Sequence, residues 1–320
     1  MNQEGVRFGV SEFTHWFQTF EQDVSLYAQM GVDGIELCER KLAKDPARAR
    51  EQLAFLRESG LPVSSIQPRV HALFPDFMCP ELLNPVERLA EYRKTIDRMA
   101  AFFPTSPLVT ITGSAPRSNY QLAHQTARKS YVELADYAAE HGMRIMFEPL
   151  HPMFMNTDTF ICSLSEAIRL VDAVNRENFG LLIDVWHVWQ EPLILETIQA
   201  TGDRLFGVHI SDWPADGPRC SADRLLPGDG CIDLPMLFGA IERAGYRGVY
   251  CLEIFSDAAL PDSLWRQNAA QVVERGRQGF HRAWKQRQAG KPDSSFRSGD
   301  PARENDEINK QIRGRRKVCC

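Results

Sequence analysis

Eight times along this chain a short apolar run gives way to a longer stretch with helical spacing, and nothing interrupts the alternation. The short runs cover 6–10, 32–37, 61–67, 108–112, 143–147, 179–185, 205–209 and 248–254. The intervening stretches, at 16–30, 46–59, about 85–103, 120–140, 165–175, near 193–200, 234–244 and 263–284, repeat apolar residues three and four apart, as in Phe17, Phe20, Val24, Tyr27 and Met30. That spacing builds one apolar helix face. Pro46 and Gly60 punctuate the second helix, and Gly31 stops the first. Strand and helix periods alternating in this way predict a parallel sheet. Eight such units in a span close to the ~250 residues typical of the fold predict a closed (β/α)8 TIM barrel of the α/β class. A doubly wound open sheet is the alternative, but the first unit has no G-x-G-x-x-G or P-loop to support it.

From Lys285 the pattern stops. Residues 285–320 hold isolated apolar residues without a period, and their ten Lys/Arg outnumber five Asp/Glu. This segment is read as a basic, disordered tail following a catalytic domain at 1–284. The body then carries 27 basic against 37 acidic residues. Such an acidic body excludes a nucleic-acid platform, which needs a basic footprint. No segment approaches the ~18 uninterrupted apolar residues of a membrane span, and the first residues lack an apolar signal core, so a cytoplasmic protein is expected. Eight cysteines scattered without a C-x-x-C pair suit free thiols in a reducing compartment. The closing Cys319-Cys320 pair is no C-a-a-X box.

The run LLIDVWH at 181–187 places one carboxylate, Asp184, inside an otherwise apolar strand, with His187 three positions on. Burying an unpaired carboxylate is very costly, so Asp184 requires a cation or a strong set of hydrogen bonds. In a barrel of this kind, polar residues at the carboxyl ends of strands face the active site. Strand five ends in Glu148, strand six in Asp184, strand seven in His209 and strand eight in Glu253. Four consecutive strands thus each end in a potential ligand. Three oxygen donors and one imidazole, with no thiolate, suit a single divalent ion: Mn²⁺ first, with Mg²⁺, Co²⁺ and Zn²⁺ as alternatives. A lone strand-end acid is more often an ion-pair partner or a cap, and Glu36 and Asp212 are read that way. His124, His141 and His281 are read as ordinary helix residues. The loop after strand seven adds Arg224, whose fork of donors suits substrate oxygens. Its Gly228 and Gly230 suit a tight turn before Asp233, read as an N-cap. The loop after strand three carries Arg69 and His71.

These motifs resemble the xylose isomerase-like barrel superfamily of sugar isomerases and epimerases, and in particular its inosose (keto-myo-inositol) isomerases. The similarity covers nearly all of 6–284 in layout. It is most specific in FEPLHP at 147–152, IDVWH at 183–187, VHISD at 208–212, DRLLPGDGCIDLPMLFGAIERAGYRG at 223–248 and LEIF at 252–255. The resemblance implies that Glu148, Asp184, His209 and Glu253 bind one divalent metal and that His187 and Arg224 contact substrate, with His71 as a further substrate contact. It implies isomerisation or epimerisation of a keto-sugar or inosose through a metal-stabilised cis-enediolate. Glu148 and Glu253 would then exchange protons as an acid/base pair, with His187 and His151 shuttling protons between oxygens. It also admits a homo-oligomer, since relatives are often dimers or tetramers.

One departure stands out. Ketose 3-epimerases of this superfamily carry a further Glu shortly after the first ligand, where this chain has Pro149-Leu150-His151-Pro152-Met153-Phe154. That leaves His151 as a replacement base and keeps open a lyase on the same scaffold, either a dehydratase or a 3-oxo-glycoside-cleaving enzyme. An abasic-site endonuclease shares the barrel but needs a three-zinc cluster, more histidines and a basic DNA face. A barrel kept only for binding would be favoured by loss of a ligand, and all four are present.

Overall fold

The computed structural model describes residues 5–287. Eight parallel strands close into a barrel in sequence order: β1 (Arg7–Ser11), β2 (Gly34–Cys38), β3 (Val63–Gln67), β4 (Leu108–Thr110), β5 (Ile145–Phe147), β6 (Phe179–Asp184), β7 (Leu205–Ile210) and β8 (Val249–Leu252), with β8 pairing back to β1. The helices are α1 (Phe20–Gln29), α2 (Pro46–Glu58), α3 (Pro85–Ala100), α4 (Tyr120–Glu140), α5 (Leu164–Val174), α6 (Val185–Val188), α7 (Ile194–Gln199), α8 (Leu234–Arg243) and α9 (Ala269–Gln286). The chain is therefore the TIM barrel that its alternation predicts. Among the described residues no helix is long and apolar enough to cross a membrane, and the described cysteines are free thiols.

Element boundaries shift where capping chemistry intervenes. The first helix starts at Phe20 rather than residue 16, because Thr19 and Gln22 form a reciprocal capping box. The residues before it, Glu12–His15, make a separate 3-10 turn. The last helix starts at Ala269 rather than 263, because Asn268 accepts from the Gln271 amide and fixes the N-terminus there. Asp184 does something similar at the top of β6: its carboxylate accepts from the Trp186 amide and opens the short helix α6. Trp186 and His187 consequently sit on a helical turn above the strand. The last helix runs to Gln286, and the tail expected beyond it, including Cys319 and Cys320, lies outside the described residues.

The two-residue period of the strands decides what points into the barrel. Ile35, Leu37, Phe147, Leu181, Ile183, Val208, Ile210, Leu252 and Ile254 all belong to the main core between strands and helices. The residues alternating with them face the other way. Val109, Met146 and Leu182 form their own small cluster inside, and Gly207 lies against Met146 and Leu182. Continuing the same parity upward leaves Glu36, Glu148, Asp184, His209 and Glu253 inside at the carboxyl rim. Asp184 and His209 are register partners on adjacent strands.

The loop 211–232 is built as a rigid shelf over this rim. Asp212 accepts from the backbone amides of Trp213 (2.9 Å), Gly228 (2.8 Å) and Ile232 (3.0 Å), so this acid is structural, as read from sequence. Gly230 leaves room for it: a Cβ there would lie 2.4 Å from Asp212 Oδ1. Gly279 of α9 admits the Pro227 carbonyl, which would sit 1.8 Å from a Cβ at that position. Replacing a helical glycine by alanine ordinarily gains about 1 kcal/mol of helix propensity. Here displacement of a backbone carbonyl costs about 1–3 kcal/mol, at the upper end for so deep an overlap. Gly279→Ala should therefore lower the Tm by several degrees in scanning calorimetry, and a raised Tm would show that the shelf does not press on α9.

Candidate active site

Glu148 follows β5, Asp184 ends β6, His209 lies in β7 and Glu253 follows β8. All four side chains are buried, and each offers one ligand atom within 4.8 Å of the others. Two of these atoms, Glu148 Oε1 and His209 Nδ1, are buried without a hydrogen-bond partner among the described residues. His209 Nδ1 lies 3.4 Å from Glu253 Oε2 and 3.7 Å from Glu148 Oε1. Converging donors, two of them without a hydrogen-bond partner, fit a divalent cation of the Mn²⁺, Mg²⁺, Co²⁺ or Zn²⁺ type, which would displace the proton His209 carries in the metal-free protein. The cation demanded by the lone acid in strand six is present as well. Arg224 Nη1 lies 2.5 Å from Asp184 Oδ2 and 3.0 Å from Glu253 Oε2. Its guanidinium is sandwiched 4.9 Å from the Trp186 ring and 5.0 Å from that of Phe255.

Burial and charge divide the protonation states. Burial raises Glu148 to about 7; the charges of Glu253 and Asp184 add to the rise, and His209 works against it. Burial would also raise Asp184, but the Arg224 cation outweighs it and holds the carboxyl at about 2. For His209 burial alone would lower the pKa, and the charges of Glu253 and Glu36 push it well above the usual imidazole range. His187 goes the other way: burial dominates and brings it to about 3. The site thus sets a neutral imidazole beside a charged one.

His187 Nε2 is 3.6 Å from Asp184 Oδ2 and 4.0 Å from Glu148 Oε1. Its Nδ1 accepts from the His151 backbone amide at 3.1 Å. A neutral ring with Nδ1 occupied as acceptor carries its proton on Nε2, the nitrogen that faces the carboxylates. Arg224 Nη2, 3.2 Å from Nε2, is then a close neighbour rather than a donor to it. His151 therefore meets the site through its main chain. Its ring lies 4.7 Å from Trp213 and accepts from the Met153 amide. His71 is buried in the loop after β3, and the charges acting on its ring are Asp76, Arg40, Arg88 and Asp158. No hydrogen bond or ion pair joins that ring to the quartet among the described residues.

Glu36 is an ion-pair partner, as its strand-end position suggested, but its partner is one of the four. Its Oε2 is 2.8 Å from His209 Nε2 and accepts from Ser65 Oγ at 2.8 Å, and Oε1 meets Gln67 Nε2 at 3.5 Å. Carboxylate, imidazole and open Nδ1 form the arrangement that orients a metal-ligating histidine. The inward parity of Glu36 was legible in the sequence. Its contact with a residue 173 positions away was not. The shelf interactions of Asp212 and the aromatic walls around Arg224 had no local signal either.

The xylose isomerase-like TIM barrel family model matches residues 24–277. An inosose isomerase from Bacillus subtilis is 30% identical over 184 residues, 55% of this chain and 60% of that protein. A 3-dehydroshikimate dehydratase from Pseudomonas putida is 27% identical over 273 residues, 79% of this chain and 38% of that protein. The chain thus spans 60% or less of these curated relatives' own lengths. The crystal structure of an IolI protein with a bound zinc atom superposes with a TM-score of 0.72 at 18% identity, over 89% of this chain and 100% of that one.

If Glu36 orients His209, Glu36→Gln should leave the fold intact and weaken divalent-ion affinity by about 10- to 100-fold, the usual effect of removing such a partner. Chelator competition with Zn²⁺ or Mn²⁺ reads this directly, and an unchanged affinity would refute the role.

Proposed function

The chain belongs to the xylose isomerase-like TIM barrel family, and from that footing we propose that it isomerises or epimerises a keto-sugar or cyclitol by proton transfer next to a carbonyl. The observation that carries this reading is the buried quartet of three carboxylates and one imidazole, with two ligand atoms unpartnered. Glu148, Asp184, His209 and Glu253 would hold one divalent ion, Mn²⁺ first, which when bound supplies Lewis-acid polarisation of the substrate carbonyl.

The chain's own residues divide the remaining work. Glu148 and Glu253 rise from strands three places apart and bracket the same point, so one can remove a proton that the other, or the first again, returns. Burial raises the Glu148 carboxyl in the metal-free protein, and a bound divalent ion would favour the carboxylate, the form that accepts a proton. Arg224 stays cationic and faces the charge that develops on the substrate oxygens. Neutral His187 presents a proton on Nε2 and moves it between neighbouring oxygens. The His151 amide fixes the ring in that tautomer, and its imidazole is an auxiliary proton carrier at the rim. The aromatic walls of Trp186 and Phe255 exclude water around Arg224 and strengthen its electrostatics.

A lyase outcome is the second reading. It is supported by the dehydratase similarity, which spans 79% of this chain, and by the absence of a carboxylate in the residues just after Glu148. A panel of inososes, free ketoses and 3-oxo-glucosides, assayed with Mn²⁺ in deuterated water, separates the two. The isomerase reading expects an isomeric product carrying solvent deuterium at one carbon. An unsaturated or cleaved product with no isomer would transfer the assignment to the lyase. Asp184→Asn should lower kcat/KM by at least about 100-fold, the scale for losing a group that acts on developing charge. Treatment with EDTA should abolish turnover and added Mn²⁺ restore it. Full activity in metal-free protein would remove the quartet from the mechanism.

A further inference from the structure

The 37 acidic and 27 basic residues of 1–284 leave the body negative, yet one concavity on it is lined with the opposite charge. It holds about 210 Å³ and lies where the turn after β2, the loop after β3 and α3 meet. Four cations line it, Lys44, Arg69, Lys94 and Arg98, against two carboxylates, Glu39 and Glu91. None of these belongs to the quartet. On α3, Glu91, Lys94, Thr95 and Arg98 recur three and four positions apart, so one helix face forms a wall. Lys44 and Lys94 are exposed, which puts the cavity at the surface.

Internal pairing consumes only half of the positive charge. Glu39 is buried; its Oε1 is ion-paired with Arg98, and its Oε2 accepts from Arg69 N (2.8 Å) and Thr95 Oγ1 (2.7 Å). Lys94 Nζ lies 2.7 Å from Glu91 Oε1. Arg69 and Lys44 are left over. The Arg69 guanidinium is held in place without being neutralised, because Nη2 donates to two carbonyls of the turn after β2, Glu39 O (2.9 Å) and Leu42 O (3.1 Å). Among the described residues its Nε and Nη1 have no hydrogen-bond partner, and neither is sealed from solvent. Exposed Lys44 forms no ion pair or hydrogen bond among the described residues.

A guanidinium anchored on neutral carbonyls, sharing a cavity with a free ammonium, is suited to an oxyanion. The arginine supplies directed donors and the lysine a mobile point charge. Two uncompensated positive charges match a phosphate group, which carries about −1.5 to −2 charges near neutral pH and three acceptor oxygens. A recess lined by one sign of charge also concentrates such anions locally. Its volume lies below the ~300–1,000 Å³ of pockets for drug-sized ligands, so the occupant is a phosphate on a short carbon chain.

We propose that this cavity binds a small phosphate monoester, at a site separate from the quartet and independent of the isomerase reading. Glycerol 3-phosphate, inorganic phosphate, succinate and glycerol are titrated by calorimetry into the full chain at low ionic strength. Glycerol 3-phosphate should bind at least as tightly as inorganic phosphate, succinate more weakly, and glycerol not at all. Lys44→Gln should weaken glycerol 3-phosphate by about tenfold or more, the scale of a charge-assisted hydrogen bond. Lys44→Glu should weaken it further, and Arg69→Lys should weaken it by removing the directed donors. Lys129→Gln, at an exposed lysine of α4, should leave it unchanged.

Equal affinity in wild type and Lys44→Glu would overturn the site, as would succinate or glycerol binding as tightly as the monoester. Tighter binding of inorganic phosphate would overturn the monoester. EDTA and Asp184→Asn should both leave the affinity unchanged, and its loss in either would move the phosphate to the quartet and overturn the separate site. Lys44 has no partner in the fold, so its variants test the proposal even if Arg69→Lys disturbs the turn.

Discussion

The contact of Arg224 with Asp184 and Glu253 is the constraint on which the rest of the site depends. Four carboxylates, counting Glu36, converge inside a barrel where bare charges are very costly. Two cations answer them: Arg224 from the shelf loop, and His209, charged between Glu36 and Glu253. Glu148 is left over, and burial lifts it into the neutral range. The charge distribution and the chemistry are therefore the same fact. In the metal-free protein the Glu148 carboxyl is raised first by burial and further by the charges of Glu253 and Asp184, against the pull of His209.

The remainder of the upper barrel keeps that balance in place. Arg224 reaches the site only because the loop 211–232 is fixed, by Asp212 through three backbone amides and by Gly279 through close approach of the Pro227 carbonyl. The short helix opened by Asp184 turns His187 toward the carboxylates, and burial keeps that ring neutral beside the charged one. One residue, Asp184, thus starts a helix, pairs with Arg224 and contributes to the quartet. Such overlap makes the site sensitive to its frame: loosening the shelf would unbalance Asp184 and Glu253 at once.

Much of this was legible in advance. The alternation of strand and helix periods predicts the closed barrel, and the two-residue period within strands predicts that Glu148, Asp184, His209 and Glu253 face one another. Boundaries were less legible, because capping at Thr19, Asn268 and Asp184 overrides apolar spacing. The standing of single residues was least legible. Glu36 read as an ordinary strand-end acid, and no local pattern tied the His151 backbone to the His187 ring. The structure gives Glu36 to His209, and it brings His151 to His187 through the main chain.

The sequence by itself determined the fold class and the inward face of each strand, because helix and strand periods are local properties that every few residues restate. Tertiary structure alone decided the pairings. Arg224 finds Asp184 across 40 positions and His209 finds Glu36 across 173. Ring closure makes neighbours of residues that no local pattern connects. In a low-dielectric interior it is the distances between charges, rather than their order along the chain, that set which proton can move.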